Sequence, residues 1–147
     1  MTDRLVDARY AKTERYRRDM AEIEAAKICP FCPGNFKWHD NPVLKRRGGW
    51  LITESSHPYK NAERHFLIIG KRHTTDITQL RVFDWLAVQS LVVWAKREFK
   101  IPGGGLALRF GETTHTGASV QHLHFHLIQP QLEDSGDKAR PVYFPFG

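Results

Sequence analysis

The sequence has few cysteines and no long run of apolar residues. Its 147 residues include two cysteines, too few for the disulfide framework of a small secreted protein. No apolar stretch approaches the ~20 residues that a membrane-spanning helix needs. The first residues are charged rather than typical of a signal peptide. We therefore expect a cytoplasmic protein that does not enter a membrane.

The composition is that of a folded protein with a basic surface. Hydrophobic residues make up 41% of the chain and charged residues 26%, which excludes a disordered or fibrous class. The formal net charge is +6, and a basic surface attracts phosphate groups. Runs of basic residues are more often solvated faces than binding sites. The charge therefore favours a nucleotide ligand or a nucleic-acid end without identifying either.

The order of apolar and chain-breaking segments predicts an α+β fold. Helices are expected over about residues 6–27 and 77–99. A tight turn at Gly48-Gly49 should join the first two of five strands. The strands are expected at residues 43–47, 50–54, 66–70, 106–110 and 123–129. This order predicts an antiparallel sheet with a helix against it, with an N-terminal helical extension at residues 1–28 and a globular domain at residues 29–147.

The most informative segment, residues 121–128, has the sequence QHLHFHLI. Because successive side chains of a strand point to opposite faces, His122, His124 and His126 share one face and the apolar residues share the other. Burial of the apolar face does not require three titratable rings on the opposite face. The pattern therefore predicts nucleophiles, proton carriers or metal ligands. The alternative is a half-buried strand whose polar positions happen to be histidine.

This pattern resembles the motif of the histidine triad family, His-φ-His-φ-His-φ-φ, in which φ is an apolar residue. GASV at residues 117–120 resembles the Gly-x-Ser-φ that precedes the triad in that family. RHFLIIGKRH at residues 64–73 resembles the family's Gly-His-φ-φ-φ-Ile-Pro-Lys-x-His strand and its exit. The resemblance extends over residues 29–130. It implies a five-stranded antiparallel sheet with a central helix, a nucleotide substrate and usually a homodimer.

The resemblance also implies roles for four side chains. His124 matches the nucleophile, which attacks the α-phosphate of a nucleotide and forms a nucleotidyl-histidine intermediate. His126 matches a group that binds phosphate oxygens, and Ser119 matches a hydroxyl near the leaving group. His65 matches an additional active-site histidine, although it could also simply open a buried strand.

Other substrate contacts follow less directly. Arg109 stands where many family members have an asparagine toward the nucleotide phosphate. The loop at residues 111–117 offers backbone N–H groups and hydroxyls that suit phosphate oxygens. Thr114 and His115 are therefore candidate contacts, or parts of an ordinary surface loop. The family's ribose-binding residue has no clear counterpart, and its candidates are Glu54, Ser55 and His57. The residues that could cover a base, or pack the core instead, are Trp50, Ile52 and Tyr59.

Cys29 and Cys32 have the spacing that lets two thiolates bind one Zn²⁺ ion. A structural zinc site needs four ligands, and the resemblance implies that His73 and the first triad histidine, His122, complete the set. A redox pair is the competing interpretation, but no thioredoxin-like βαβ pattern surrounds the cysteines. The alternative ligands are His39 and His65.

We therefore predict a nucleotide hydrolase or transferase with a structural Zn²⁺ ion. Its substrate would be a dinucleoside polyphosphate, a nucleoside phosphoramidate or an adenylate, with water, phosphate or another group as acceptor. An alternative is a nucleotide-binding or interaction module with vestigial catalysis. A nucleic-acid binder is a third hypothesis, which no base-stacking motif or separate zinc finger supports. The homodimer that the resemblance implies would pack the helix around Trp85, Leu91 and Trp94 partly across a two-fold axis.

Overall fold

The fold is an open five-stranded antiparallel sheet with one long helix against it. The structure is a computed structural model that describes residues 4–147, so residues 1–3 of the expected extension lie outside the described residues. The sheet has the strand order β1-β2-β3-β5-β4, with every neighbouring pair antiparallel. This confirms the α+β prediction. The elements are α1 Glu14–Ala26, β1 Val43–Arg47, β2 Trp50–Glu54, β3 Ala62–Gly70, α2 Val82–Glu98, β4 Gly105–Leu108, α3 Thr113–Thr116 and β5 His124–Pro130.

The turn between β1 and β2 is the tight turn that the sequence predicts. Gly48 and Gly49 both have positive φ angles, 49° and 79°, which residues other than glycine rarely adopt. This geometry matches the twist of the two strands, and Arg47 pairs directly with Trp50.

The two faces of the sheet have different partners. One face packs against α2 in the main core, where Ile52, Phe66, Ile68 and Leu91 are each fully buried. On β5, Phe125 and Leu127 belong to this core. Since side chains alternate along a strand, the triad residues of β5 lie on the opposite face, which α2 leaves uncovered. The core of the sheet thereby holds the histidines in a fixed register.

The N-terminal helix is shorter than predicted, because two side chains start separate turns. Asp7 caps a short 3-10 turn by accepting from the Arg9 N–H at 3.2 Å. Thr13 caps α1 by accepting from the Tyr16 N–H at 3.1 Å. The helix therefore begins at Glu14 rather than near residue 6.

Other boundaries shift for similar local reasons. β3 begins at Ala62 rather than at residue 66, because its first residues pair with the end of β5. A 3-10 turn at Ile77–Gln79, capped by Asp76, precedes α2, which begins only at Val82. β5 begins at His124, so His122 precedes the strand and is free to turn toward other partners.

The segment before α1 packs against the chain just before the triad. The Asp7 N–H donates to the Ser119 carbonyl at 2.8 Å, and the Gln121 N–H donates to the Leu5 carbonyl at 2.9 Å. A small second core, in which Ile23 is 1% exposed, joins α1 to Val120. The N-terminal residues therefore help to form the site. Across residues 4–147, each helix is too short or too polar to cross a bilayer.

Candidate active site and metal centre

The four predicted metal ligands converge on one point. The donor atoms of Cys29, Cys32, His73 and His122 all lie within 4.8 Å of one another. His122 Nδ1 lies 3.3 Å from Cys29 Sγ and 3.2 Å from His73 Nδ1, and Cys32 Sγ lies 3.4 Å from His73 Nδ1. A tetrahedral zinc ion with Zn–S and Zn–N bonds of about 2.3 and 2.0 Å separates its ligand atoms by about 3.3–3.8 Å. The observed spacing is close to this pattern.

Hydrogen bonding fixes which nitrogen His122 offers to the cluster. Its Nε2–H donates to the Gly70 carbonyl at 2.6 Å, so Nδ1 carries a lone pair and points at the two thiols. A backbone carbonyl on the distal nitrogen is the usual support of a metal-ligating histidine. Burial raises the pKa of the Cys29 thiol to about 12, and a thiol in this position ionises readily only when a cation lies beside it. The donor set therefore fits a Zn²⁺ ion.

The alternative ligands occupy other sites. The His39 Nε2 atom lies 2.7 Å from the Thr53 hydroxyl. His65 hydrogen-bonds to His126 at 2.8 Å. Neither histidine belongs to the cluster in the part of the chain that the structure describes.

His124 is the first residue of β5, and its ring faces a cleft of about 580 Å³. Its Nδ1–H donates to the His122 carbonyl at 2.6 Å, so the ring is in the tautomer that leaves Nε2 as a lone pair. Burial, together with the positive charge of Arg109, lowers the pKa of His124 to about 4. The ring is therefore neutral at neutral pH, which is the form that acts as a nucleophile.

His65 and His126 form a directed chain of hydrogen bonds. The Tyr59 backbone N–H donates to His65 Nδ1 at 3.1 Å, which leaves His65 with a proton on Nε2. That proton is donated to His126 Nδ1 at 2.8 Å, so the remaining proton of His126 is on its Nε2. Within residues 4–147, His126 Nε2 is the buried side-chain nitrogen or oxygen that lacks a hydrogen-bond partner.

An unpaired buried donor is costly unless a ligand completes it. His126 lines the cleft beside His124, with 4.9 Å between the two ring centroids. Burial lowers the pKa of both His126 and His65, the latter to about 4, so the rings are neutral donors rather than cations. A phosphate oxygen would satisfy the free N–H.

Ser119 and Arg109 both line the same cleft. The Ser119 hydroxyl hydrogen-bonds to the hydroxyl of Tyr16 from α1. Arg109 donates to the Pro145 carbonyl at 2.6 Å and to the Tyr59 hydroxyl at 3.1 Å. These partners hold both side chains in place at the rim of the site.

Not every predicted contact reaches the cleft. Thr114 and His115 are exposed on the short helix α3, and His115 lies 3.8 Å from Glu112, so the structure places both outside the cleft lining. Of the ribose candidates, Ser55 and His57 line the cleft. Glu54 instead lies 3.6 Å from Arg64 at the surface. Of the base candidates, Trp50 and Ile52 are buried in the core, and only Tyr59 faces the cleft.

Sequence reasoning missed the contribution of the N-terminal segment. Tyr16 stacks on His57, with 4.2 Å between the ring centroids, and Lys12 lies over the Tyr59 ring at 5.0 Å. Phe144, near the other end of the chain, packs against His126 at 4.9 Å. No motif marks these residues, and their places follow only from the packing of distant segments.

Comparison with known proteins identifies one matching family model. Residues 29–141 match the family model described as scavenger mRNA decapping enzyme C-term binding. No curated protein matches the sequence. Many solved structures share the fold.

Three of these neighbours show the range of the likeness. A HIT family hydrolase from Legionella pneumophila is 23% identical, covers 74% of this chain and 99% of its own, and has a TM-score of 0.52. A hypothetical protein from Leishmania major is 21% identical, covers 83% of this chain and 84% of its own, and has a TM-score of 0.59. A histidine triad nucleotide-binding protein from Candida albicans is 23% identical, covers 72% of this chain and 76% of its own, and has a TM-score of 0.53. At these identities the structures show the shared fold.

The family match includes all of the convergent side chains. Both cysteines, the β3 histidine and the complete triad lie within the matched residues 29–141. The sheet and its strand order provide the frame on which they meet. The chain therefore belongs to the histidine triad family.

Proposed function

We propose that the protein is a nucleotide hydrolase or transferase that works through a nucleotidyl-histidine intermediate on His124. The observation that carries this proposal is the hydrogen bond from His124 Nδ1–H to the His122 carbonyl. It fixes the ring so that Nε2 presents its lone pair to the cleft. A neutral, oriented imidazole beside an unpaired donor is suited to attack on a phosphate.

The proposed reaction has two steps. In the first, the lone pair of His124 Nε2 forms a bond to the α-phosphorus, and the bond from phosphorus to the leaving group breaks with its electron pair on the leaving group. In the second, water or another acceptor attacks the same phosphorus. The P–N bond then breaks, its electron pair returns to Nε2, and the acceptor loses its proton to solvent. Each step is easier than one direct displacement.

The neighbouring groups divide the remaining work. His126 Nε2–H would donate to a phosphate oxygen, whose charge rises during transfer. His65 acts through His126, because its Nε2–H sets the tautomer of that ring. Ser119, held by Tyr16, would place its hydroxyl near the leaving group, and Arg109 would add positive charge to the rim.

In this proposal the four convergent ligands would hold a structural Zn²⁺ ion. The ion would crosslink Cys29 and Cys32 to His73 and His122 and so stabilise the fold. Because His122 is a ligand and its own carbonyl accepts from His124, the cluster fixes the backbone that orients the nucleophile. Both thiols are free of disulfides, as expected in the reducing cytoplasm that we propose as its location.

The proposal is tested by incubation with adenosine and guanosine phosphoramidates, dinucleoside polyphosphates and adenylated DNA, followed by chromatography of the products. We expect release of a nucleoside monophosphate or its transfer product from at least one substrate. The His124→Ala variant should lose turnover by several orders of magnitude, with its fold and zinc content unchanged. Nucleotide binding without turnover in the wild-type protein would instead favour the binding module.

We also propose a homodimer, because apolar side chains remain exposed on α2 and on the edge strand β4. Val82, Phe83 and Leu86 are 73%, 79% and 53% exposed, and Leu106 on β4 is 47% exposed. Exposed apolar side chains and an unpaired strand edge are both typical of an interface. Leu91 does not contribute as the sequence suggested, because it is fully buried against the sheet.

Light scattering should give about twice the monomer mass of 17.0 kDa. A Phe83→Glu variant should shift the mass toward the monomer, because a charge in the patch would have to be desolvated. A monomeric wild-type protein at micromolar concentration would contradict the dimer.

A further inference from the structure

We propose that the leaving group of the substrate is itself a phosphate chain, held by Lys12 and Lys60. The substrate class is therefore nucleoside and dinucleoside polyphosphates rather than phosphoramidates or other conjugates with an uncharged leaving group. This inference rests on the proposed function, because it concerns what departs when His124 attacks. It gives a binding role to Lys12 and Lys60, which line the cleft outside the histidine triad.

The charged side chains that line the cleft are all cationic. Its cationic side chains are Arg9, Lys12, Lys60 and Arg109, and its described lining includes no aspartate or glutamate. Arg9 is paired with Asp7 at 2.6 Å, and Arg109 is bound to the Pro145 carbonyl. Among the described residues, Lys12 and Lys60 have no carboxylate within 4.0 Å. The two ammonium groups therefore give the cleft positive charge that the protein does not neutralise.

Lys12 lies in the cleft lining, over the ring of Tyr59. Its Nζ lies 5.0 Å from the centroid of the Tyr59 ring. Tyr59 in turn stacks on His126, with 5.7 Å between the centroids and 18° between the planes. Ala11 is buried and Thr13 caps α1, so the backbone on both sides of Lys12 is fixed. An exposed lysine is usually only solvated, but the ammonium group of this one lies against a ring that stacks on His126.

Lys60 is fixed through its neighbours in the chain. The Tyr59 N–H bonds to His65, and the Asn61 side chain donates to the Pro141 carbonyl at 2.9 Å. Asn61 also has a positive φ of 67°, a turn conformation in which asparagine is common. The backbone of Lys60 is thus anchored on both sides, and its side chain lines the cleft.

The chemistry of the leaving group explains why this charge matters. When the bond to the α-phosphorus breaks, a phosphate chain departs with the electron pair on its bridging oxygen and gains negative charge. Cations already in place stabilise that charge in the transition state. An amine departs from a phosphoramidate without gaining such an anion and offers the lysines no oxygen to bind. The two lysines therefore favour the first class of substrate.

The test compares kcat/KM for diadenosine tetraphosphate and for adenosine phosphoramidate in the full chain. The wild-type protein should prefer the tetraphosphate. In the Lys12→Met and Lys60→Met double variant, the ratio of the two kcat/KM values should fall about 10-fold, since loss of charge at a binding surface commonly costs ~1.4 kcal/mol or more. Higher salt should lower the wild-type ratio as well, because it screens exposed charges.

Lys138→Met is the matched control, since Lys138 is exposed and lies outside the cleft lining. It should leave the ratio unchanged. An unchanged ratio in the double variant, with melting temperature retained, would overturn the inference, and so would a wild-type preference for the phosphoramidate. If no substrate of the full panel is turned over, the proposed function itself fails. If another member of the panel is turned over but the tetraphosphate is not, only the leaving-group assignment fails. If the phosphoramidate is turned over equally well or better, only the leaving-group assignment fails.

Discussion

The two histidine clusters of this protein contain the same side chain in opposite hydrogen-bonding states. In the metal cluster, His122 gives its Nε2–H to a carbonyl and directs a lone pair at two thiols and a second imidazole. In the catalytic cluster, His124 gives its Nδ1–H to a carbonyl and directs a lone pair at an open cleft. The lone pair of His122 points at other potential metal ligands, whereas the lone pair of His124 points into a cleft with room for a substrate.

The chemistry available to each of these histidines therefore depends on the hydrogen-bond partner of its second ring nitrogen. His126 illustrates a third state, because its Nδ1 accepts from His65 and a donor is left over. Under the proposed function, the three rings spaced two residues apart would serve as a ligand, a nucleophile and a donor. Substitutions in the two clusters should therefore have separate effects on metal content and on the rate of turnover.

The largest effect on stability should come from the metal cluster. His122→Ala removes one of four zinc ligands, and metal binding contributes directly to folding free energy. We expect loss of about one zinc per chain by elemental analysis and a melting temperature lower by about 10 °C. His39→Ala, which removes a histidine outside the cluster, should keep the metal. Equal zinc content in the two variants would show that the cluster is not the metal site.

A smaller effect, confined to rate, should come from the free donor of the catalytic cluster. His126→Ala should lower kcat by about 10²–10³ because one stabilising donor is lost, while zinc content stays unchanged. His126→Gln, whose amide can donate in place of the ring, should recover part of that loss. The comparison would be undermined if His126→Ala lost zinc or if Gln and Ala were equally slow.

The smallest effect should come from Asp7, in the segment that packs against the chain just before the triad. Arg9 holds the pKa of the buried Asp7 carboxyl at about 2. A depressed carboxyl pKa stabilises the fold above pH ~4, and this stabilisation is lost as the pH falls from ~4 toward ~2. Asp7→Asn should cost about 1–2 kcal/mol at neutral pH, since solvent screens the half-exposed Arg9.

Chemical denaturation across that pH range checks the sign. The difference between wild type and Asp7→Asn should shrink as the pH falls. Asp134→Asn, which removes an exposed pair with Arg140, should cost less than Asp7→Asn at neutral pH. A constant difference at all pH values would rule out the ionised Asp7 as its source.

The sequence carried enough information for the sheet and the metal cluster. Alternation along residues 121–128 predicted which side chains face the core, and the core packing of Phe125 and Leu127 confirms it. Cys29 and Cys32 were predicted as metal ligands from their spacing, whereas His73 and His122 were predicted from the resemblance to the family. The structure brings the four side chains together.

The walls of the cleft were beyond the reach of sequence patterns. Lys12, Tyr16 and Phe144 lie far from the triad in the chain, and tertiary packing alone brings them to it. Helix α3 explains why Thr114 and His115 lie outside the cleft lining. Its turn buries Thr113 against Asp7 and leaves Thr114 and His115 outward, which agrees with the ordinary surface loop that the sequence left open.

The central claim is that His124 becomes covalently nucleotidylated, and it is tested most directly by trapping that species. The wild-type protein would be mixed briefly with a substrate labelled at the α-phosphate, quenched without acid, and digested for mass spectrometry, since phosphoramidate bonds to histidine are labile in acid. We expect a nucleoside monophosphate on His124 of the wild-type protein and none in His124→Ala. Label on another residue, or rapid turnover by His124→Ala, would contradict the account.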